Sequence, residues 1–173
     1  MDIKPKVVVS ALLQRINNGV KEVFVQTRYK PQTSPTYLDM MEIPAGGVEP
    51  YENVYDAIKR EVKEETGLDI IRILDDESTG VMENRPGDKS MAFRPFLCQQ
   101  VTETNGGLPW YGFVFLCEVT GEVKMQAEEA KDPRWMNLSD LKKFLDEQPE
   151  NVFSLQYATL KKYIEENIKS SSY

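Results

Sequence analysis

Glu61, Glu64 and Glu65 stand at positions i, i+3 and i+4 of a stretch whose apolar residues recur with helical spacing, so the three carboxylates project from one helical face. Like charges at such spacing repel by ~0.2–0.5 kcal/mol per pair, and a cation that bridges them turns this cost into a binding site. A hard, oxygen-preferring ion suits the set. Magnesium takes one or two carboxylates, keeps several waters and completes its octahedron with phosphate oxygens. Metal and phosphate would then bind together, because the acidic helix alone repels phosphate. An isolated E-x-x-E-E run is more often a solvated face, so the neighbouring residues decide between the two readings.

Those neighbours are Gly46-Gly47-Val48-Glu49-Pro50-Tyr51-Glu52 upstream and Arg60 to Leu68 around the glutamates. The stretch resembles the Nudix box, G-x5-E-x7-R-E-U-x-E-E-x-G-U with U aliphatic. It matches at Gly46, Glu52, Arg60, Glu61, Val62, Glu64, Glu65, Gly67 and Leu68. With each fixed type at roughly one in fifteen by average usage, such a match arises by chance at about 10⁻⁹ per start position, which excludes coincidence. The resemblance implies one Nudix domain over residues 1–173, with the box at 46–68. Its fold is an α/β/α sandwich with a mixed sheet.

The resemblance also assigns roles. Glu61, Glu64 and Glu65 bind one or more divalent cations, Mg2+ or alternatively Mn2+, and Gly46 lets the backbone approach the metal. Arg60 orients Glu52 or Glu61 through a salt bridge, as outer residues commonly fix ligand geometry. Catalysis is expected from Glu64, Glu61 and Arg60. Glu128 or Glu129, just before Pro133-Arg134-Trp135, is expected to serve as an extra ligand or base. Family members cleave a nucleoside diphosphate linked to another group, by in-line attack of a deprotonated water on phosphorus.

The box does not define that other group. Glu42-Ile43-Pro44-Ala45-Gly46-Gly47 looks like the segment entering the box in ADP-ribose and sugar-nucleotide diphosphatases, which places Glu42 in substrate binding. Arg28, at a strand end, is placed there to meet a terminal phosphate or ribose. Pro86, the first proline past the box, lies slightly later than the one such enzymes commonly carry. A nucleoside triphosphate pyrophosphatase would share every box residue. A non-catalytic regulatory module would show eroded box carboxylates, and isoprenoid diphosphate isomerases rest on cysteine and glutamate chemistry in a longer chain. Tyr29, Tyr37, Trp110 and Tyr111 have types that stack on bases, but aromatic residues beside strands more often pack, and they are left unassigned.

Composition bounds the reading. A formal net charge of −7 over 173 residues argues against a nucleic-acid polymer as partner, leaving a small-molecule nucleotide whose phosphates a metal neutralises. The chain has no histidine, which removes the usual general base and leaves carboxylates for that work. Cys98 and Cys117 sit in apolar segments and read as reduced core residues. The apolar run Val7 to Leu13 is too short to span a bilayer, so no membrane contact and a cytoplasmic location are expected. Relatives of the sugar-nucleotide type imply a homodimer.

The positioning elements follow from the pattern. Val7–Leu13 and Glu22–Thr27 form a hairpin about Asn17-Asn18-Gly19, a proline-rich loop covers Tyr29–Tyr37, and a short strand Met40–Ile43 is stopped by Pro44-Ala45-Gly46-Gly47. Glu52–Thr66 is a helix closed by Gly67, with Val54, Ile58 and Val62 on its apolar side. Strands are expected at Phe93–Val101 and Trp110–Val119, around the Asn105-Gly106-Gly107 turn, and at Arg134–Met136. C-terminal helices over about 139–168 begin with Ser139 capping Asp140–Glu147 and continue with Val152–Ile168, before a frayed tail Ser170–Tyr173.

Overall fold

In the chain, Val9, Ala11 and Leu13 alternate with Leu12 along the first strand, and all four are fully buried. Burial on both faces explains why the run is apolar without alternation, since a strand covered on one side only would read apolar, polar, apolar. The computed structural model describes residues 4–105, 107–125 and 129–170. Its elements are β1 (Lys6–Asn17), β2 (Val20–Arg28), β3 (Met41–Glu42), β4 (Ala45–Gly47), α1 (Val54–Thr66), β5 (Asp69–Ile73), β6 (Glu77–Ser78), β7 (Met82–Arg85), β8 (Asp88–Ser90), β9 (Phe93–Arg94), β10 (Leu97–Gln100), β11 (Trp110–Thr120), β12 (Ala130–Asn137), α2 (Leu138–Glu147) and α3 (Ser154–Ser170).

The main sheet runs β10-β11-β1-β2-β12, with β3 on β2, β4 on β1 and β5 on β11. It is mixed: β1 and β11 run parallel, with Val9 opposite Phe113, while β1 and β2 are antiparallel. One face packs on α1, with Val9, Ala11, Leu13 and Phe24 meeting Ala57, Ile58 and Val62. The other packs on α2 and α3, with Leu12, Val23 and Val25 meeting Leu141, Leu145, Leu160 and Tyr163. This is the expected α/β/α sandwich. Among the described residues no helix is long and apolar enough to cross a membrane.

The opening hairpin turns at Asn18 and Gly19, with φ of 50° and 79°, values that Asn and Gly tolerate. Helix α1 is capped by the Asn53 side chain, which accepts from the Tyr55 amide at 2.9 Å, and ends at Gly67 with φ of 75°.

Several expectations are corrected. Pro44-Ala45-Gly46-Gly47 does not simply stop a strand. The Pro44 carbonyl accepts from the Ala11 amide at 2.9 Å, and Ala45–Gly47 becomes β4 on β1. The strand expected from Phe93 is broken at Pro95, which has no amide to donate, so Phe93–Arg94 pairs with β6 instead. Helix α2 is capped by Asn137, not Ser139, because the Asn137 Oδ1 accepts from the Asp140 amide at 2.8 Å. Cys117 is buried, but Cys98 lies exposed on the edge strand β10, so only one of the two is a core residue. Gly106, Glu128 and the tail residues Ser171–Tyr173 lie outside the described residues.

Candidate functional site

Alternate residues of β2 point to one face of the sheet, and from Phe24 onward that face turns polar: Gln26 is fully buried, and Arg28 and Lys30 follow at spacing two. β3 sets Glu42 opposite Gln26, and Glu42 is 3% exposed. Buried charge needs partners. Glu42 receives Arg28 Nη1 at 2.7 Å and Gln26 Nε2 at 3.4 Å, while the Arg28 guanidinium also lies 4.5 Å over the Phe153 ring.

Glu65, from α1, enters the same network. Its Oε2 accepts from Gln26 Nε2 at 3.0 Å and the Ala45 amide at 3.3 Å, and its Oε1 meets Lys30 Nζ at 3.3 Å. Lys30 spans onward to Glu129 Oε2 at 2.7 Å, and the Glu129 carbonyl accepts from the Tyr29 amide at 2.8 Å.

One turn earlier on α1, Arg60 gathers a second group. Its Nε and Nη2 grip the two oxygens of Glu52 at 2.8 and 2.9 Å, its Nη1 reaches Glu61 at 2.7 Å and Glu64 at 3.3 Å, and Nη2 also donates to the Gly47 carbonyl at 3.0 Å. Only a planar fork of five donors serves so many acceptors at once. Arg60 thus orients both of its anticipated partners and Glu64 besides. A Cβ on Gly46 would overlap the Glu61 carboxylate, so the glycine makes room for it.

The electrostatics divide the carboxylates. Burial pushes Glu65 up to about 7, against the pull of Lys30 and with a further push from Glu42. Burial also raises Glu61 and Glu42, in both cases opposed by an arginine. Glu52, gripped by Arg60, is held down at about 2. Burial works against the charge on Lys30, but Glu65, Glu129 and Glu42 together keep it above the ordinary lysine range. Glu42, Glu52, Glu61, Glu65 and Lys30, all perturbed, lie close together around α1 and the end of β2, a clustering typical of functional sites.

The model of the NUDIX domain matches residues 4–156. The chain belongs to the Nudix family. Solved structures with the same fold include the MutT protein from Methanosarcina mazei Go1, at 20% identity and a TM-score of 0.65 over 96% of this chain and 98% of that one. The NUDIX domain of Shewanella oneidensis NrtR, crystallised with ADP ribose, aligns at 12% identity and TM-score 0.62 over 95% and 89%. A C. elegans Ap4A hydrolase aligns at 19% and 0.55 over 97% and 99%. At these identities the likeness is one of fold. No curated protein matches the chain significantly.

Of the residues singled out from the sequence, the structure brings Gly46, Glu52, Arg60, Glu61 and Glu64 of the box into one group, and Glu65 of the box with Arg28, Glu42 and Glu129 from outside it into the adjoining one. The three box glutamates are not equivalent: Glu65 is buried at 4% exposure, Glu61 is nearly so, and the Glu64 side chain is 55% exposed. Among the described residues no three carboxylates already form a metal-binding cluster, because arginine, lysine, glutamine and backbone donors engage them. Sequence reasoning missed Gln26 and Lys30. Their signal was the polar spacing of two after the apolar Val23-Phe24-Val25, of which only Arg28 was picked out.

Proposed function

We propose that this chain hydrolyses the pyrophosphate bond of a nucleoside diphosphate linked to a second moiety, ADP-ribose or another nucleotide sugar, by metal-assisted attack of water. The observation that carries the reading is that Glu61 and Glu65 lie against two adjacent residues of β4. The Glu65 carboxylate bonds the Ala45 amide, and the Glu61 carboxylate fills the space beside Gly46. Two largely buried carboxylates with raised pKa gain from a cation that replaces their protons. Their all-oxygen donor set suits Mg2+ or Mn2+.

A bound divalent ion supplies charge neutralisation at the diphosphate oxygens and acidifies water. Glu61, Glu64 and Glu65 would hold it. Arg60 keeps Glu61 and Glu64 oriented while anchored to Glu52. Glu64, the most exposed of the three, takes the proton from the attacking water, with Glu129 or Glu128 as the other candidate bases. The water oxygen bonds to one phosphorus, the bridging anhydride P–O bond breaks, and its electron pair leaves with the second phosphoryl group. Two phosphorylated fragments result. Arg28 and Glu42, on the sheet face beside Glu65, serve the substrate side. The segment Glu42–Gly47 and the arginine beside it support a sugar-linked diphosphate over a triphosphate. The same reading includes a small-molecule partner rather than a polymer, a homodimer and a cytoplasmic site of action.

A product-release panel tests this: ADP-ribose, nucleotide sugars, dinucleoside polyphosphates and nucleoside triphosphates, each with Mg2+, Mn2+ or chelator. Metal-dependent cleavage of a sugar-linked diphosphate is expected. Preference for triphosphates would make the chain a (d)NTP pyrophosphatase, and binding without cleavage would make it a regulator.

A further inference from the structure

Lys30 lies outside the box, yet its ammonium sits between the box helix and the segment after β11. Its side chain is 19% exposed, and Nζ stands 3.3 Å from Glu65 Oε1 and 2.7 Å from Glu129 Oε2. The other oxygen of Glu65 is already engaged by Gln26 and the Ala45 amide. Lys30 therefore occupies the oxygen that the sheet leaves open, and it supplies the positive charge that two neighbouring carboxylates require. A divalent cation on Glu65 would face that ammonium at close range, in surroundings where like charges repel more strongly than in water. Arg28 makes no bond to Glu65: its guanidinium is paired with Glu42 and stacked on Phe153. Lysine suits a movable role, as a compact charge on a flexible four-carbon stem.

We propose that Lys30 is the exchangeable counter-ion of this site: it draws Glu65 and Glu129 together in the metal-free protein, yields Glu65 to an entering divalent cation, and turns its ammonium to the diphosphate that arrives with the metal. The inference rests on the metal-assisted reading above. It makes Lys30 a positioning residue before the metal enters and a phosphate contact afterwards. The positive charge stays in the site throughout, so neither the metal-free nor the loaded state leaves the acidic cluster or the substrate phosphates without a counter-charge.

The test is calorimetric titration of Mn2+ alone, at pH 8, into wild type, Lys30→Met, Lys30→Gln and Lys30→Arg, each checked for folding by its melting curve. Removing the competing charge is expected to tighten Mn2+ binding about ten-fold or more in the Met and Gln variants, with the Arg variant near wild type. In turnover assays KM is expected to rise about ten-fold in the same two variants, with kcat moving less, as lost charge–phosphate contacts dictate. Mn2+ binding unchanged or weaker in both neutral variants overturns the exchange and leaves Lys30 a structural brace. An unchanged KM overturns the transfer to the diphosphate. If none of the four proteins binds Mn2+, the metal reading itself fails and takes this inference with it.

Discussion

Gly46 and Glu61 are packed so closely that the glycine's missing side chain is the space in which the glutamate's carboxylate lies. The pairing joins β4 to α1 across the box, and a Cβ at that position would displace the Glu61 carboxylate. What a methyl group would strike is the end of a flexible side chain, so Glu61 can move aside at little cost to folding.

Gly46→Ala is therefore expected to separate stability from function. Its melting temperature should stay within a few degrees of wild type, while divalent-cation affinity and turnover fall ~10–100-fold, the usual cost of disturbing ligand orientation. A variant that keeps full metal affinity contradicts the placement of Glu61.

Arg60→Lys probes the fork that binds Glu52, Glu61 and Glu64. A lysine retains the charge but cannot span these acceptors in one plane. Turnover is expected to fall ~10–100-fold. Wild-type turnover in this variant would show that the charge alone suffices.

Glu65→Gln and Glu64→Gln are both expected to lower turnover by orders of magnitude, for different reasons. Glu64 is exposed, so its loss removes a ligand or base without touching the core. Glu65 is buried against Gln26, and its amide variant mimics the protonated form. It should fold at least as well as wild type at pH 8 in the absence of metal. Wild-type-like rates in both would remove these residues from the metal site. Glu128→Gln and Glu129→Gln are expected to differ from each other, with Glu129→Gln also loosening Lys30.

The pH dependence of metal-free stability has a definite sign. Glu65 titrates at about 7 in the folded chain, and an unfolded glutamate titrates at about 4.3, so the folded state favours the protonated form. The stability this contributes is fully present below the unfolded value and is lost as pH rises through about 7. Glu42 and Glu61, also raised, act in the same direction. With no histidine in the chain, no side chain of ordinary pKa competes in that window. Melting temperature in chelator should drop by a few degrees from pH 6 to pH 8, at ~2–4 °C per kcal/mol for a chain of this size. Glu65→Gln should flatten the profile and Mg2+ should restore stability at pH 8. A profile that rises with pH contradicts the burial of an ionisable Glu65.

How much of this was legible in the sequence depended on whether the signal was local. The box helix, its closing Gly67 and the turn at Asn18-Gly19 are set by residues close in sequence, and they appeared where the pattern put them. β4 was not legible, because Ala45–Gly47 has little strand propensity of its own and pairs only because β1 lies alongside. The short exposed strands β6 to β8 carry no buried alternation and gave no pattern to read. In the site, Glu61, Glu64 and Glu65 were visible as a helical face, but the sequence did not distinguish the buried Glu65 from the exposed Glu64. That difference is made by Gln26 on β2 and Lys30 just past its end, 35 or more residues away.

The most direct measurement is a phosphorus NMR time course of ADP-ribose and a second nucleotide sugar with wild type and Glu64→Gln, in Mg2+ and in chelator. The account predicts that in Mg2+ the diphosphate signals give way to two phosphomonoesters with wild type, at a rate orders of magnitude lower with the variant, and with neither in chelator. Cleavage that persists in chelator, or that is as fast in the variant as in wild type, would contradict it.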